Sequence, residues 1–133
     1  MLEDYLTFRF QAWYNWCVET FGTRSTTMPS ERALRVMEEA VELIQSEGVS
    51  EEIALAVIKR CYSRPVGDPA QEAGQIFLTL GVYCALKDLD PVAEADKDFL
   101  RVLEILKDDP DYFKRRVEAK RLAGIELSEE PVT

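Results

Sequence analysis

The segment DPAQEAGQIFLTLGVYCALK, residues 68–87, decides the fold class of this chain. Asp68 followed by Pro69 is typical of a helix start, because Asp caps free backbone N–H groups and proline is favoured at the first helical position. From Ala73 onward almost every residue is apolar, and a helix that is apolar all round belongs in the interior of a protein. The segment therefore predicts a central helix in an all-α protein.

Helical periodicity continues on both sides of this segment, and short glycine- and proline-containing breaks separate the predicted helices. We expect helices over residues 3–21, 30–47, 50–61, 68–87, 90–107 and 111–122. Ser30 is the expected N-cap of the second helix. The sequence thus predicts a compact all-α bundle of five to six helices, with one domain over residues 1–123 and a flexible tail over residues 124–133.

The composition restricts the chemistry that this chain can perform. Its 133 residues carry a net charge of −9, are 47% hydrophobic and include no histidine. The lack of histidine excludes Ser-His-Asp catalysis and His-ligated zinc. The carboxylates are then the main groups left for chemistry, and they transfer protons or bind hard cations such as Mg²⁺. The acidity disfavours binding to duplex nucleic acid, which requires a basic surface.

The cysteines and the hydropathy pattern indicate a cytoplasmic protein. Cys17, Cys61 and Cys84 are odd in number and far apart, which is typical of reduced thiols rather than a disulfide framework. No apolar run approaches the ~18 residues of a membrane span. The N-terminus is acidic where a signal peptide is basic. We therefore expect a cytoplasmic protein with no membrane partner.

Two carboxylates of the second predicted helix form a candidate cation site. Glu39 and Glu42 are three residues apart, so their side chains project from the same face of a helix and can grip one cation. The alternative is a solvated face on which Arg35 pairs with Glu38 and Glu39. The helix alone leaves both interpretations open.

A polar stripe on the apolar helix offers a partner for that site. Asp68, Glu72, Gln75 and Thr79 fall on one narrow face, and Gly74 and Gly81 on the opposite face allow another helix to approach closely. A buried, unpaired carboxylate costs several kcal/mol. Glu72 is therefore expected to be protonated, to pair with an arginine, or to share a metal ion with Glu39 and Glu42.

The order Glu39-xx-Glu42, then Glu72-xx-Gln75, resembles the ExxE and ExxD metal motifs of the MazG-like, all-α nucleoside triphosphate pyrophosphohydrolases. The segment RALRVMEEAVEL, residues 32–43, is similar to the arginine-led EExxEL helix of that family. RPVGDPAQEAG, residues 64–74, is similar to a segment of its short, often phage-encoded members. Gln75 departs from the family aspartate, since an amide oxygen can bind Mg²⁺ but carries no negative charge.

The resemblance implies Mg²⁺-dependent hydrolysis, with Mn²⁺ as an alternative ion, of a nucleoside triphosphate to a monophosphate and pyrophosphate. Glu39, Glu42, Glu72 and Gln75 would hold the ion, which polarises the attacking water. Glu38 would orient or deprotonate that water. The resemblance also implies a homo-oligomer, a dimer or tetramer, in agreement with the wide apolar arc of residues 33–44. A phage-encoded member would act in the host cytoplasm.

Several basic and aromatic residues have two interpretations each. The fifth predicted helix carries the candidate phosphate-binding residues Lys97, Arg101 and Lys107. Surface pairing with neighbouring acids such as Asp98 and Glu104 explains the same residues equally well. The basic residues within 114–121 are interpreted as a solvated terminal face. The aromatics of the first helix indicate a core or an interface, with nucleobase stacking as the alternative.

Two other functions fit the sequence. The first is a MazG-like protein that binds nucleotide or metal without turnover, because Gln75 replaces an acidic ligand. The second is a helical protein-interaction module whose carboxylates only form salt bridges.

Overall fold

A computed structural model describes residues 2–127, which form seven α-helices and contain no strand. The helices are α1 (Leu2–Phe21), α2 (Thr23–Thr27), α3 (Pro29–Ser46), α4 (Glu51–Tyr62), α5 (Pro69–Lys87), α6 (Pro91–Asp108) and α7 (Tyr112–Leu122). The all-α prediction is confirmed. Residues 128–133, the end of the predicted tail, lie outside the described residues.

The additional helix is α2, which lies in the segment expected to be a loop. Gly22 separates it from α1 with a positive φ of 88°, a conformation that glycine adopts without steric cost. Thr26 is buried and its hydroxyl donates to the Gly22 carbonyl at 3.0 Å, so local contacts stabilise the short helix. The next helix begins at Pro29 with Met28 as its N-cap, so the prediction that Ser30 caps it is wrong.

The chain divides into two compact units. Of the described residues, 2–50 and 113–127 form the first unit and 51–112 form the second. Helices α1, α2, α3 and nearly all of α7 therefore belong to the first unit, and α4, α5 and α6 to the second.

Three aromatic rings join the two ends of the sequence within the first unit. The ring of Phe113 at the start of α7 lies 4.9 Å from Phe21 and 5.8 Å from Trp16, measured between centroids. Trp16 and Phe21 are also 5.8 Å apart, and all three pairs meet edge to face. Such pairs contribute ~0.5–1.5 kcal/mol each beyond simple burial. Part of the aromatic first helix thus serves as core.

Aspartates organise the helix ends of the second unit. The carboxylate of Asp68 accepts a hydrogen bond from the Gln71 N–H at 3.0 Å at the start of α5. Asp90 caps α6 in the same way, accepting from the N–H of Val92 at 2.9 Å. Between them Asp88 ends α5 in the left-handed conformation, with φ of 54°. Both Asp-Pro helix starts are where the sequence predicted them.

Helix α5 is exposed along nearly its whole length, although it is strongly apolar. Phe77 is 59% exposed and Leu78 67%, whereas Cys84 is buried. A Cβ atom built on Gly74 or Gly81 would meet no other group within 4 Å. Among residues 2–127 the apolar side chains of this helix are mostly exposed, so the expectation that it is buried is wrong for this part of the chain. No helix within residues 2–127 is both long and apolar enough to cross a bilayer.

Candidate functional site

An almost fully buried carboxylate, Glu31, lies at the start of α3. Its side chain is 1% exposed. Oε1 of Glu31 lies 2.9 Å from Nε of Arg35, one helical turn later, and 3.9 Å from Nη2 of Arg32. Oε2 accepts a hydrogen bond at 2.9 Å from the backbone N–H of Leu127. Because a buried charge requires compensation, these partners explain how a carboxylate is tolerated there.

The ion pairs of Glu31 continue into a charge network made of Glu31, Arg35, Glu38 and Lys120. Nη1 of Arg35 donates to Oε2 of Glu38 at 2.5 Å, and Nζ of Lys120 lies 3.1 Å from that same oxygen. The other terminal nitrogen of Arg35 donates to the carbonyl of Ile125. The charge network therefore connects α3 to α7 and to the segment that follows α7.

A cavity of about 230 Å³ lies beside this charge network, entirely within the first unit. Its lining contains four cationic side chains (Arg32, Arg35, Arg116, Lys120), three carboxylates (Glu31, Glu39, Glu126), two phenylalanines (Phe21, Phe113), Ser25 and Val117. Nε of Arg32 donates to the Ser25 carbonyl at 3.1 Å, which fixes one wall. Burial raises the pKa of the nearby Cys17 thiol, and the positive charge of Arg32 opposes that rise. The cavity thus combines fixed positive charge with an apolar edge.

One face of α7 contributes to this cavity. Phe113, Arg116, Val117 and Lys120 line it, with the spacing of three and four residues that places side chains on one helical face. Arg121 instead forms an ion pair with Glu118, and hydrogen bonding from Arg121 lowers the pKa of that carboxyl. The interpretation of the basic C-terminal residues as a solvated face therefore fails for Lys120, which is half-buried and paired with Glu38, whereas Arg116 is exposed and also lines the cavity.

The predicted carboxylates of α3 occupy different environments. Glu39 is exposed and lines the cavity, and Glu42 is exposed one turn further along α3. Glu38, the candidate for orienting water, is half-buried and paired with Arg35 and Lys120. The Arg35–Glu38 pair expected on a solvated face is present, whereas Glu39 faces the cavity.

The predicted pair of the second unit lies in the first turns of α5. Glu72 and Gln75 are both exposed, so the cost of burying a charge does not apply to Glu72 in the single chain. The carboxylate of Glu72 folds back over Gly67, where an added Cβ would collide with its Oε1. Gly67 thus leaves room for the Glu72 carboxylate beside the N-terminus of α5.

The four predicted ligands fit Mg²⁺ in chemistry, because carboxylate and amide oxygens are the donors that this ion prefers. Glu39 and Glu42 belong to the first unit and Glu72 and Gln75 to the second. Each unit by itself therefore has two of the four. Within residues 2–127, no three Asp, Glu or Cys side chains are grouped closely enough to hold a metal ion.

The predicted phosphate-binding residues of α6 are all exposed and pair with acids one turn earlier. Lys97 lies 3.1 Å from Glu94, Arg101 2.7 Å from Asp98, and Lys107 2.6 Å from Glu104. Hydrogen bonding and charge from Asp98 raise the pKa of the Arg101 guanidinium. These contacts match the alternative interpretation of surface pairs, and a role in phosphate binding stays a prediction.

Sequence reasoning overlooked Glu31 and misjudged the cavity-lining face of α7. The available signals were the four-residue spacing of Glu31 and Arg35 and the periodicity of residues 113, 116, 117 and 120. No family model, curated protein or solved structure matches this chain. The resemblance to the MazG-like family therefore rests on the sequence motifs alone.

Proposed function

We propose that this protein is a Mg²⁺-dependent nucleotide pyrophosphohydrolase that cleaves a nucleoside triphosphate to a monophosphate and pyrophosphate. The observation that carries the proposal is that Glu39, a predicted metal ligand, lines the same cavity as four cationic side chains. A metal-bound triphosphate needs both kinds of group, because carboxylates hold the ion and cations neutralise the phosphates. The proposal includes a cytoplasmic location, where such nucleotides occur.

Each predicted site residue has a defined role in this proposal. Glu39, Glu42, Glu72 and Gln75 would hold the ion, as the resemblance of their motifs implies. Mg²⁺, when bound, offsets phosphate charge and polarises a water for attack on the α-phosphorus. Glu38 orients that water, since its ion pairs with Arg35 and Lys120 hold its carboxylate in one position.

A turnover assay with matched variants tests the proposal. The protein is incubated with Mg²⁺ or Mn²⁺ and a panel of ribo- and deoxyribonucleoside triphosphates, and pyrophosphate and monophosphate are measured. Glu39→Gln and Glu72→Gln should each lower kcat/KM by about 100-fold, because each removes a charged ligand. Glu19→Gln and Glu52→Gln, exposed carboxylates of α1 and α4, are the controls and should stay within about twofold.

The outcomes separate the proposal from its alternatives. Absence of turnover with every nucleotide, together with nucleotide binding by calorimetry, identifies a protein that binds without catalysis. Equal losses in the test and control variants contradict the assigned ligands. Gln75→Asp should strengthen Mn²⁺ binding, because it restores a charged ligand, and unchanged affinity removes Gln75 from the site.

The second candidate function is a helical interaction module, and the exposed apolar residues of α4 and α5 favour it. Ile53, Leu55 and Val57 of α4 are each more than half exposed, as are Phe77 and Leu78 of α5. Many large apolar side chains exposed on neighbouring elements of the sequence are typical of proteins that associate through an interface. We propose that a second copy of the chain covers this surface in a dimer or tetramer, which is compatible with the enzymatic proposal.

A further inference from the structure

We infer that the cavity of the first unit binds the phosphate groups of a nucleotide, and that Arg116 and Lys120 of α7 are the cations that contact them. The nucleotide class rests on the proposed function. The inference differs from the prediction made from sequence, which assigned phosphate binding to Lys97, Arg101 and Lys107.

The charge of the cavity is the first argument. Four cationic side chains and three carboxylates line it, so its lining is net positive in a chain whose net charge is −9. A concave site with a positive lining attracts anions more strongly than a flat surface with the same charges, because the low dielectric of its walls focuses the field. Such a site in an acidic protein is therefore suited to a polyanionic ligand.

The fixed positions of the cations are the second argument. Arg35 is held between Glu31 and Glu38, Lys120 is held by Glu38, and Arg32 donates to the Ser25 carbonyl. Cations that are already ordered lose little conformational entropy when an anion binds. Arginine and lysine form short, charge-assisted hydrogen bonds with phosphate oxygens. Three of the four cations that line the cavity are thus already held in place before an anion arrives.

The size and the apolar edge of the cavity indicate which part of a nucleotide enters. Its volume of about 230 Å³ is below the ~300–1,000 Å³ typical of pockets that hold a whole ligand. The cavity is therefore large enough for phosphate groups but not for a complete nucleoside triphosphate. The rings of Phe21 and Phe113 form its apolar edge, and both contact Trp16.

The cations of α6 make weaker candidates for the same task. Lys97 and Lys107 have side chains that are 73% and 68% exposed. Water screens charges on an open surface and weakens their binding of anions, whereas Arg116, although also exposed, lines a concave site together with three other cations. Unlike Arg116 and Lys120, they are not part of the lining of this cavity.

The inference is tested by the binding of inorganic tripolyphosphate in the presence of EDTA. This probe carries the phosphate chain without a base and needs no metal or turnover. Binding is followed by calorimetry and by the fluorescence of Trp16 in a Trp13→Phe background, since Trp16 contacts two rings at the edge of the cavity. We expect saturable binding that changes the fluorescence and weakens with salt.

Substitutions on α7 locate the site. Arg116→Gln and Lys120→Gln should each weaken tripolyphosphate binding about tenfold or more, because each removes a charge-assisted hydrogen bond. Arg115→Gln is the matched control. It removes one positive charge from the neighbouring position of α7, and Arg115 is not part of the cavity lining. Its affinity should stay within about twofold of the unchanged protein. Thermal melting of each variant verifies that the fold is retained.

The results distinguish this inference from the proposed hydrolysis. Selective losses in Arg116→Gln and Lys120→Gln support the inference even if no nucleotide is hydrolysed. Equal losses in all three variants, or no binding of tripolyphosphate, overturn it even if hydrolysis is observed. If Lys120→Gln lowers the melting temperature strongly, its loss of binding cannot be assigned to the cavity. Arg116→Gln then decides the test by itself, because the Arg116 side chain is exposed and its replacement should not disturb the fold.

Discussion

Glu31 illustrates how a single residue organises the first unit. Its carboxylate is 1% exposed and contacts Arg35 on its own helix and the backbone N–H of Leu127, 96 positions away in the chain. Removal of one partner from a buried ion pair leaves the other charge uncompensated, which costs ~3–5 kcal/mol. The residue thus fixes the segment after α7 against the start of α3.

Replacement of this carboxylate should destabilise the first unit strongly. We expect Glu31→Ala to lower the free energy of unfolding by ~3–5 kcal/mol in urea denaturation, because Arg35 loses its buried counter-charge. The control is Glu42→Ala, an exposed carboxylate of the same helix, which should change stability by less than ~0.5 kcal/mol in EDTA. Similar losses for the two variants would show that Glu31 makes no net contribution through its ion pairs.

At the scale of helices, local sequence signals place the helix starts of the second unit. Asp90 accepts hydrogen bonds from the N–H groups of Val92 at 2.9 Å and Ala93 at 3.3 Å, and Pro91 occupies the first helical position. Both effects act within one turn, so the dipeptide alone predicts the boundary. Helix α2 has no such signal, because its N-cap is Gly22 and no side chain caps its start.

The capping of α6 by Asp90 can be tested by measuring the stability of the protein. Asp90→Ala should lower the free energy of unfolding by about 1 kcal/mol, since it leaves two N–H groups at the start of α6 without their acceptor. Asp90→Asn is the control, because asparagine caps helices as well as aspartate does. The measurement is thermal unfolding followed by circular dichroism. A loss of the same size in Asp90→Asn would mean that charge, rather than capping, is responsible.

At the scale of the whole molecule, many apolar side chains of the described residues are exposed to solvent. The most apolar helix exposes Phe77, Leu78 and Val82, each by more than half. Because ~25 cal/mol is gained per Å² of apolar surface removed from water, such a helix favours association. A second copy of the chain is the proposed cover.

Self-association should depend on this surface. In sedimentation velocity we expect the unchanged protein to be a dimer or tetramer and Phe77→Glu to be a monomer, because burial of a new unpaired charge opposes association. Gln71→Glu adds the same charge to an exposed polar position of α5 and should leave the oligomer intact. A monomeric unchanged protein contradicts the proposed self-association, and a loss of the oligomer in Gln71→Glu would assign the effect to charge alone.

The sequence by itself determined the helical class and most helix boundaries, because these depend on periodicity and caps, and the lack of histidine excluded imidazole chemistry. It also identified Glu39, Glu42, Glu72 and Gln75 as the motif residues that resemble a metal site. The helices and each of the two motifs are set by residues within a few turns of one another.

Only the tertiary structure decided which charged side chains line one cavity and which apolar side chains of the described residues are exposed to solvent. Arg116 and Lys120 meet Arg32 and Glu39 across more than 70 positions of sequence, as the cavity lining shows. Conversely, the apolar pattern of α5 indicated that this helix packs against other protein surface. It did not indicate whether that surface belongs to the same chain or to a second copy. Long-range contacts depend on how distant segments pack, and local periodicity carries no information about that packing.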